Sequence, residues 1–166
     1  MSEALATEND AHSAVSVIIA NGRRAMESLA NADQARVDEA VTALAWAVYE
    51  PTRAKELAEL AVEDTGMGNV DSKIIKNTRK TFGTLRDLLR AKTVGVIERN
   101  DARGMVKYAK PVGVVGAVTP STNPAATPVN KAMMAVKGRN AVVIAGSPAG
   151  FQTTLKTVTI CVSSSS

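Results

Sequence analysis

Cysteine and histidine occur once each in the 166 residues, as Cys161 and His12. An internal disulfide framework and a Cys/His zinc site are thereby excluded, and no metal site is expected. The aromatics are Trp46, Tyr49, Phe82, Tyr108 and Phe151, only 3% of the chain, too few for a protein that stacks successive nucleic-acid bases. Long apolar runs are also missing. The longest uncharged stretch, Pro111 to Asn130, holds four prolines and several polar residues, so no membrane association is expected. The start, Met1-Ser2-Glu3, lacks the basic-then-apolar order of a secretory signal, and a cytoplasmic location is the expectation. Finally, no carboxylate side chain follows Asp101.

What is present is the balance of a globular chain, 45% apolar and 22% charged. The net charge of +4 is unevenly spread. Residues 1–70 carry 5 basic and 12 acidic side chains, residues 71–110 carry 11 and 4, and residues 111–166 carry 4 and none. The basic middle segment interleaves with Ile74, Ile75, Phe82, Leu85 and Leu88, so it reads as a solvated helix face, and no nucleic-acid partner is expected.

The acidic part reads as helices. One spans roughly Ala11 to Ala30. A second starts at the N-cap Asp33 and carries Val37, Val41, Leu44, Ala45 and Val48 at helical spacing. Pro51 stops that helix or starts the next, whose stripe is Leu57, Ala58, Leu60 and Ala61, ending near Gly66-Met67-Gly68. A fourth runs from Val70 to about Ala91, with Ile74, Ile75, Thr78, Phe82, Leu85, Leu88 and Leu89 expected inward. Beyond Lys92, two short β-prone runs flank the polar turn Arg99–Gly104, predicting an edge hairpin over 93–110.

Val112–Val118 and Ala141–Ala145 are nearly continuous apolar runs, predicted to be parallel strands buried on both faces. A helix from Ala125 to Val136 lies between them, giving one βαβ unit. The expected architecture is α/β: N-terminal helices over 1–92, the hairpin over 93–110, and over 111–150 the first βαβ unit of an incomplete doubly wound, Rossmann-like parallel sheet. Residues 151–166 read as a helix or strand to Val162 and then a serine run, and are expected to form a divergent, disordered tail.

In doubly wound sheets, ligands collect beyond the carboxyl ends of the strands. Here two such ends converge, Val118-Thr119-Pro120 and Ala145-Gly146-Ser147-Pro148, with small residues that permit close approach to the backbone. Asn123 sits at the mouth, where its neutral amide could stabilise a developing oxyanion. On spacing alone, an asparagine satisfying a turn backbone is the stronger reading.

The stretch Pro111–Pro124, with Thr119-Pro120-Ser121-Thr122-Asn123-Pro124 at its end, resembles the cofactor strand and loop of the aldehyde dehydrogenase superfamily. Ala125–Ala132 and Lys137–Ala145 are closer still to its coenzyme-A-acylating branch, as are Glu63–Gly68 and Lys73–Asn77. The likeness is strongest to the acetaldehyde and sulfoacetaldehyde types and spans roughly residues 12 to 150. It implies an oxidoreductase joining an aldehyde to coenzyme A with NAD or NADP as oxidant. Val118, Thr119, Pro120 and Ser121 would line the dinucleotide, Asn123 would contribute to the oxyanion hole, and Ala145, Gly146, Ser147 and Pro148 would abut the adenosine half. Hydrolytic members usually carry lysine where Ala145 stands, and the acylating branch often has proline where Gly146 stands. The hairpin would be the arm through which subunits pair into a homo-oligomer.

The family reaction needs a cysteine thiolate in a separate catalytic domain. Cys161 stands in Thr-Val-Thr-Ile-Cys-Val-Ser, unlike the nucleophile motif, and reads as a small core hydrophobe. The expectation is therefore an N-terminal portion, inactive alone because its nucleophile and catalytic domain are absent. The alternative is a non-catalytic module that binds a nucleotide or pairs with another subunit.

Overall fold

A computed structural model describes residues 2–164, with side chains from Asp10 onward. Helix α1 (Ser2–Glu27) is followed by α2 (Gln34–Tyr49), which begins where Asp33 accepts a hydrogen bond from the Arg36 backbone N–H at 2.8 Å. The stripe Val37, Val41, Leu44, Ala45 and Val48 is buried and makes α2 the centre of the core. Pro51 starts the next helix, α3 (Pro51–Thr65), because Glu50 caps it by accepting from the N–H groups of Thr52 (3.0 Å) and Arg53 (2.9 Å). Those bonds hold the Glu50 carboxyl below its ordinary range. Gly66, at φ 64°, ends α3 in the left-handed conformation that glycine reaches without strain.

The fourth helical stretch differs from its expected form. It divides into α4 (Val70–Ile75), a π-helical turn over Lys76–Lys80, and α5 (Thr81–Leu89). The side chains it buries are Lys73, Asn77 and Thr81, whereas Ile75, Phe82 and Leu89 are exposed. Two causes are visible. The wider π turn changes the phase of the stripe partway along. The face that meets α3 is also chosen by polar satisfaction, since Asn77 Nδ2 donates to the Ala54 carbonyl at 3.0 Å. Leu85 and Leu88 do pack against the core, half-buried.

Strands β1 (Gly95–Asn100) and β2 (Met105–Ala109) form the antiparallel hairpin, closed by a 3₁₀ turn at Asp101–Arg103 and by Gly104 at φ 60°. Its side chains Ile97, Met105, Val106 and Tyr108 are exposed. The hairpin is rooted in the helices through Gln34, whose Oε1 accepts from the N–H groups of Thr93 (2.8 Å) and Val94 (3.1 Å).

Strands β3 (Val114–Thr119) and β4 (Ala141–Gly146) pair in parallel from Val114↔Ala141 to Thr119↔Gly146, with α6 (Ala126–Lys137) between them in sequence. At the amino ends α1 lies close: a Cβ on Gly22 would stand 3.0 Å from Val114 Cγ1. The expectation of burial on both faces fails for both strands: Val112 and Val118 are 86% exposed, Gly116 and Ala145 are exposed, and within β3 and β4 only Ala117 and Thr119 are buried.

The expected disordered tail is instead helix α7 (Phe151–Ser164); Ser165 and Ser166 lie outside the described residues. Its buried face is Thr153, Thr154, Thr157 and Cys161, a helical stripe of small side chains rather than large apolar ones. Asp64 caps it, accepting from Thr153 N (2.9 Å) and Thr153 Oγ1 (3.0 Å). The acid-free last third of the chain thus takes its helix cap from α3.

Candidate functional site

Two loops form the site, one after β3 and one after β4. The Ser147 N–H donates to the Thr119 carbonyl at 3.1 Å, extending the parallel pairing one residue beyond the strands. A 3₁₀ turn, Pro148–Gly150, then leads into α7. A Cβ on Gly150 would meet Pro124 Cβ at 2.9 Å, and Thr154 Oγ1 donates to the Pro124 carbonyl at 3.2 Å. A Cβ on Gly146 would stand 2.9 Å from Thr154 Cγ2. Absent side chains at positions 146 and 150 are therefore what let α7 close against both loops.

The residues expected at the site fall at the carboxyl ends of β3 (Val118, Thr119) and β4 (Ala145, Gly146) and on the loops that follow them. Val118, Pro120, Ala145 and Pro148 are exposed, Ser121, Gly146 and Ser147 are half-buried, and Thr119 is buried. The two strand ends lie side by side, with small or polar side chains at most of these positions. None of the expected residues carries a charged side chain.

Asn123 occupies the mouth. Its Nδ2 donates to Thr122 Oγ1 at 3.3 Å, its backbone carbonyl accepts from Thr127 N at 3.1 Å, and its Oδ1 is buried without a hydrogen-bond partner among the described residues. An amide nitrogen has two protons. One is engaged by Thr122, and the other is uncommitted among the described residues.

Two residues of the site's support had no assigned role in the sequence reading. Lys73, only 5% exposed, sends its Nζ from α4 to the Thr122 carbonyl at 3.3 Å. Burial, and then the nearby charge of Lys76, push the Lys73 ammonium below its ordinary range. Asp64 is the other, as the cap of α7. Both lie in the segments Glu63–Gly68 and Lys73–Asn77 that carried part of the family likeness, which was the available signal for them.

Cys161 belongs to the core formed by α2, α6 and α7. Burial pushes its thiol up to about 11, with Arg53 opposing the shift. About one in 10⁴ such thiols is ionised at neutral pH, as suits a packed core side chain.

A parallel βαβ unit whose strand ends are bridged by a hydrogen bond, beside a hairpin and a helical layer, defines an α/β protein that carries the start of a doubly wound sheet. The aldehyde dehydrogenase family model matches residues 2–164, and the chain belongs to that family. The match continues past Gly150 through α7, which corrects the expectation that the last residues are unrelated to the family. The chain is 57% identical over 140 residues to a sulfoacetaldehyde dehydrogenase (acylating) of Cupriavidus necator, covering 84% of this chain and 28% of that protein. A protein of the same description from Bilophila wadsworthia is 48% identical over 136 residues, covering 82% of this chain and 29% of the relative. Among solved structures, an acetylating aldehyde dehydrogenase of Geobacillus thermoglucosidasius superposes with a TM-score of 0.87 at 34% identity, over 92% of this chain and 33% of that one. The chain thus spans less than a third of the length of these relatives. No helix among the described residues is long and apolar enough to cross a membrane.

Proposed function

We propose that this chain supplies the dinucleotide-facing strand ends and an oxyanion amide to a coenzyme-A-acylating aldehyde dehydrogenase. In the reaction, aldehyde, coenzyme A and NAD(P)+ give acyl-coenzyme A and NAD(P)H. The observation that carries this reading is the Ser147–Thr119 hydrogen bond, which joins the two loops into one crevice. The small residues Ala145 and Gly146 and the exposed Val118 fit a flat ligand lying across the strand ends. Val118, Thr119, Pro120 and Ser121 would hold one side of the dinucleotide, and Ala145, Gly146, Ser147 and Pro148 the adenosine side. The dinucleotide supplies the hydride acceptor.

Asn123 would turn its uncommitted N–H toward the oxygen of the aldehyde carbonyl as negative charge develops there. A donor of this kind is worth about 10²–10³ in kcat. The attacking thiolate would come from outside the described residues, because the raised Cys161 thiol is buried in the core. By likeness to the acylating relatives the substrate would be a small aldehyde such as sulfoacetaldehyde.

The chain alone is expected to form no NADH from sulfoacetaldehyde and coenzyme A. Grafted in place of the matching 140 residues of the Cupriavidus necator relative, it should restore an active enzyme. In that graft Asn123→Ala should lower kcat by about 10²–10³ with little change in KM. Undiminished kcat would refute the oxyanion role.

A second reading, a module that pairs with another subunit, is favoured by the exposed hairpin residues Ile97, Met105, Val106 and Tyr108. The two are compatible, since the arm would bring subunits of the same enzyme together. Sedimentation of the chain should show self-association that Tyr108→Asp with Val106→Asp abolishes; a monomer at all concentrations would refute it.

A further inference from the structure

We infer that Lys73 is a positioning residue for Asn123, acting through the carbonyl of Thr122. The inference takes its functional meaning from the oxyanion reading of Asn123, but its structural basis is separate. Lys73 is 5% exposed on α4, and its ammonium donates to the Thr122 carbonyl at 3.3 Å. Among the described residues no salt bridge reaches it, and the nearby charge of Lys76, on the same helical stretch, is repulsive. An ammonium buried without a counter-ion is costly, and an apolar side chain of similar volume would serve packing better. Stability therefore gives no reason for a lysine here. The site does.

The Thr122 carbonyl and the Asn123 N–H belong to one planar peptide unit. A charge-assisted hydrogen bond to that carbonyl fixes the plane and polarises it, which strengthens the N–H on its far side as a donor. The hydroxyl of the same threonine accepts from Asn123 Nδ2 at 3.3 Å. Thr122 is thus held by Lys73 at its carbonyl and itself holds the Asn123 amide. The brace also comes from elsewhere in the fold: α4 packs on α3, so the loop after β3 is steadied by the helical layer. The turn at Gly68 closes over the lysine stem, since a Cβ there would lie 3.8 Å from Lys73 Cε.

The test is nuclear magnetic resonance on the full chain labelled with ¹³C and ¹⁵N, compared with Lys73→Met and Lys73→Arg. In the unsubstituted chain the Thr122 carbonyl and Asn123 amide resonances should follow one titration step, with a midpoint below that of exposed lysines. Lys73→Met should abolish the step and shift the Asn123 side-chain amide pair. Lys73→Arg should abolish the step yet keep that pair near its original position, because guanidinium stays protonated. A Thr122 carbonyl that does not titrate with the Lys73 ammonium overturns the proposal, as does an Asn123 side-chain pair unmoved in Lys73→Met. Should Lys73→Met fail to fold, the titration of the unsubstituted chain and the Lys73→Arg spectrum still decide. No ligand enters this measurement, so a negative result strikes only the Lys73–Thr122–Asn123 linkage. Failure of the oxyanion reading would appear instead as an unchanged kcat for Asn123→Ala in the grafted enzyme, with the linkage intact.

Discussion

The Ser147 N–H donates to the Thr119 carbonyl at 3.1 Å, one step past the last paired residues of β3 and β4. That bond ties together two residues 28 positions apart in sequence and holds the two loops side by side. The small residues of the second loop then matter for packing as well as access, because α7 closes directly against them.

Gly146→Ala places a methyl group 2.9 Å from Thr154 Cγ2 and 3.0 Å from its Cβ, on a helix that cannot easily recede. It should destabilise the chain by about 1–3 kcal/mol in urea denaturation. Adding Thr154→Ala should recover part of that loss, and a double-mutant cycle measures the coupling. Strict additivity would show that the two positions do not press on each other.

Asp64→Ala removes the acceptor for both Thr153 N and Thr153 Oγ1 at the start of α7. A cost of about 0.5–2 kcal/mol is expected. Hydrogen exchange should quicken selectively over residues 151–164, while α2 keeps its protection. Uniform change across the chain would contradict a local cap.

Burial raises the Cys161 thiol from 9.0 to about 11. Between those values the unfolded chain has released its thiol proton and the folded chain retains it, so stability falls as pH rises through this window. The full loss is about 2–3 kcal/mol above the folded value. Urea midpoints from pH 8 to 10.5 should decline more steeply for the unsubstituted chain than for Cys161→Ala. Parallel declines would mean that the thiol is not protected in the fold.

Much of this was legible locally. Asp33 as a cap, Pro51 beside a helix boundary and the stripe Val37–Val48 are signals contained within a few residues, and the structure agrees with them. The hairpin and the βαβ order were also readable, since turn chemistry and apolar runs mark them. The face of α4–α5 was not, because a π turn shifts its phase and because Lys73 and Asn77 are buried to satisfy carbonyls at Thr122 and Ala54. Such partners lie 49 and 23 positions away and leave no mark on the local pattern. Helix α7 is left open between helix and strand by its residues, and its order within the fold was missed, for a related reason. Its inward stripe is made of threonines and a cysteine, and the acid that caps it stands 89 positions upstream. At the site itself, the strand-end residues were nameable from sequence, while the lysine behind Asn123 needed three dimensions.

The central claim is that the crevice between β3 and β4 takes a dinucleotide, and calorimetric titration with NAD+ and NADP+ tests it most directly. Val118→Asp is the control, since its side chain is 86% exposed and a carboxylate there should leave the fold intact while repelling a diphosphate. Saturable heat with at least one of the two cofactors, weakened about tenfold or more by Val118→Asp, is the predicted result. No heat up to millimolar cofactor, or binding indifferent to Val118→Asp, would contradict it.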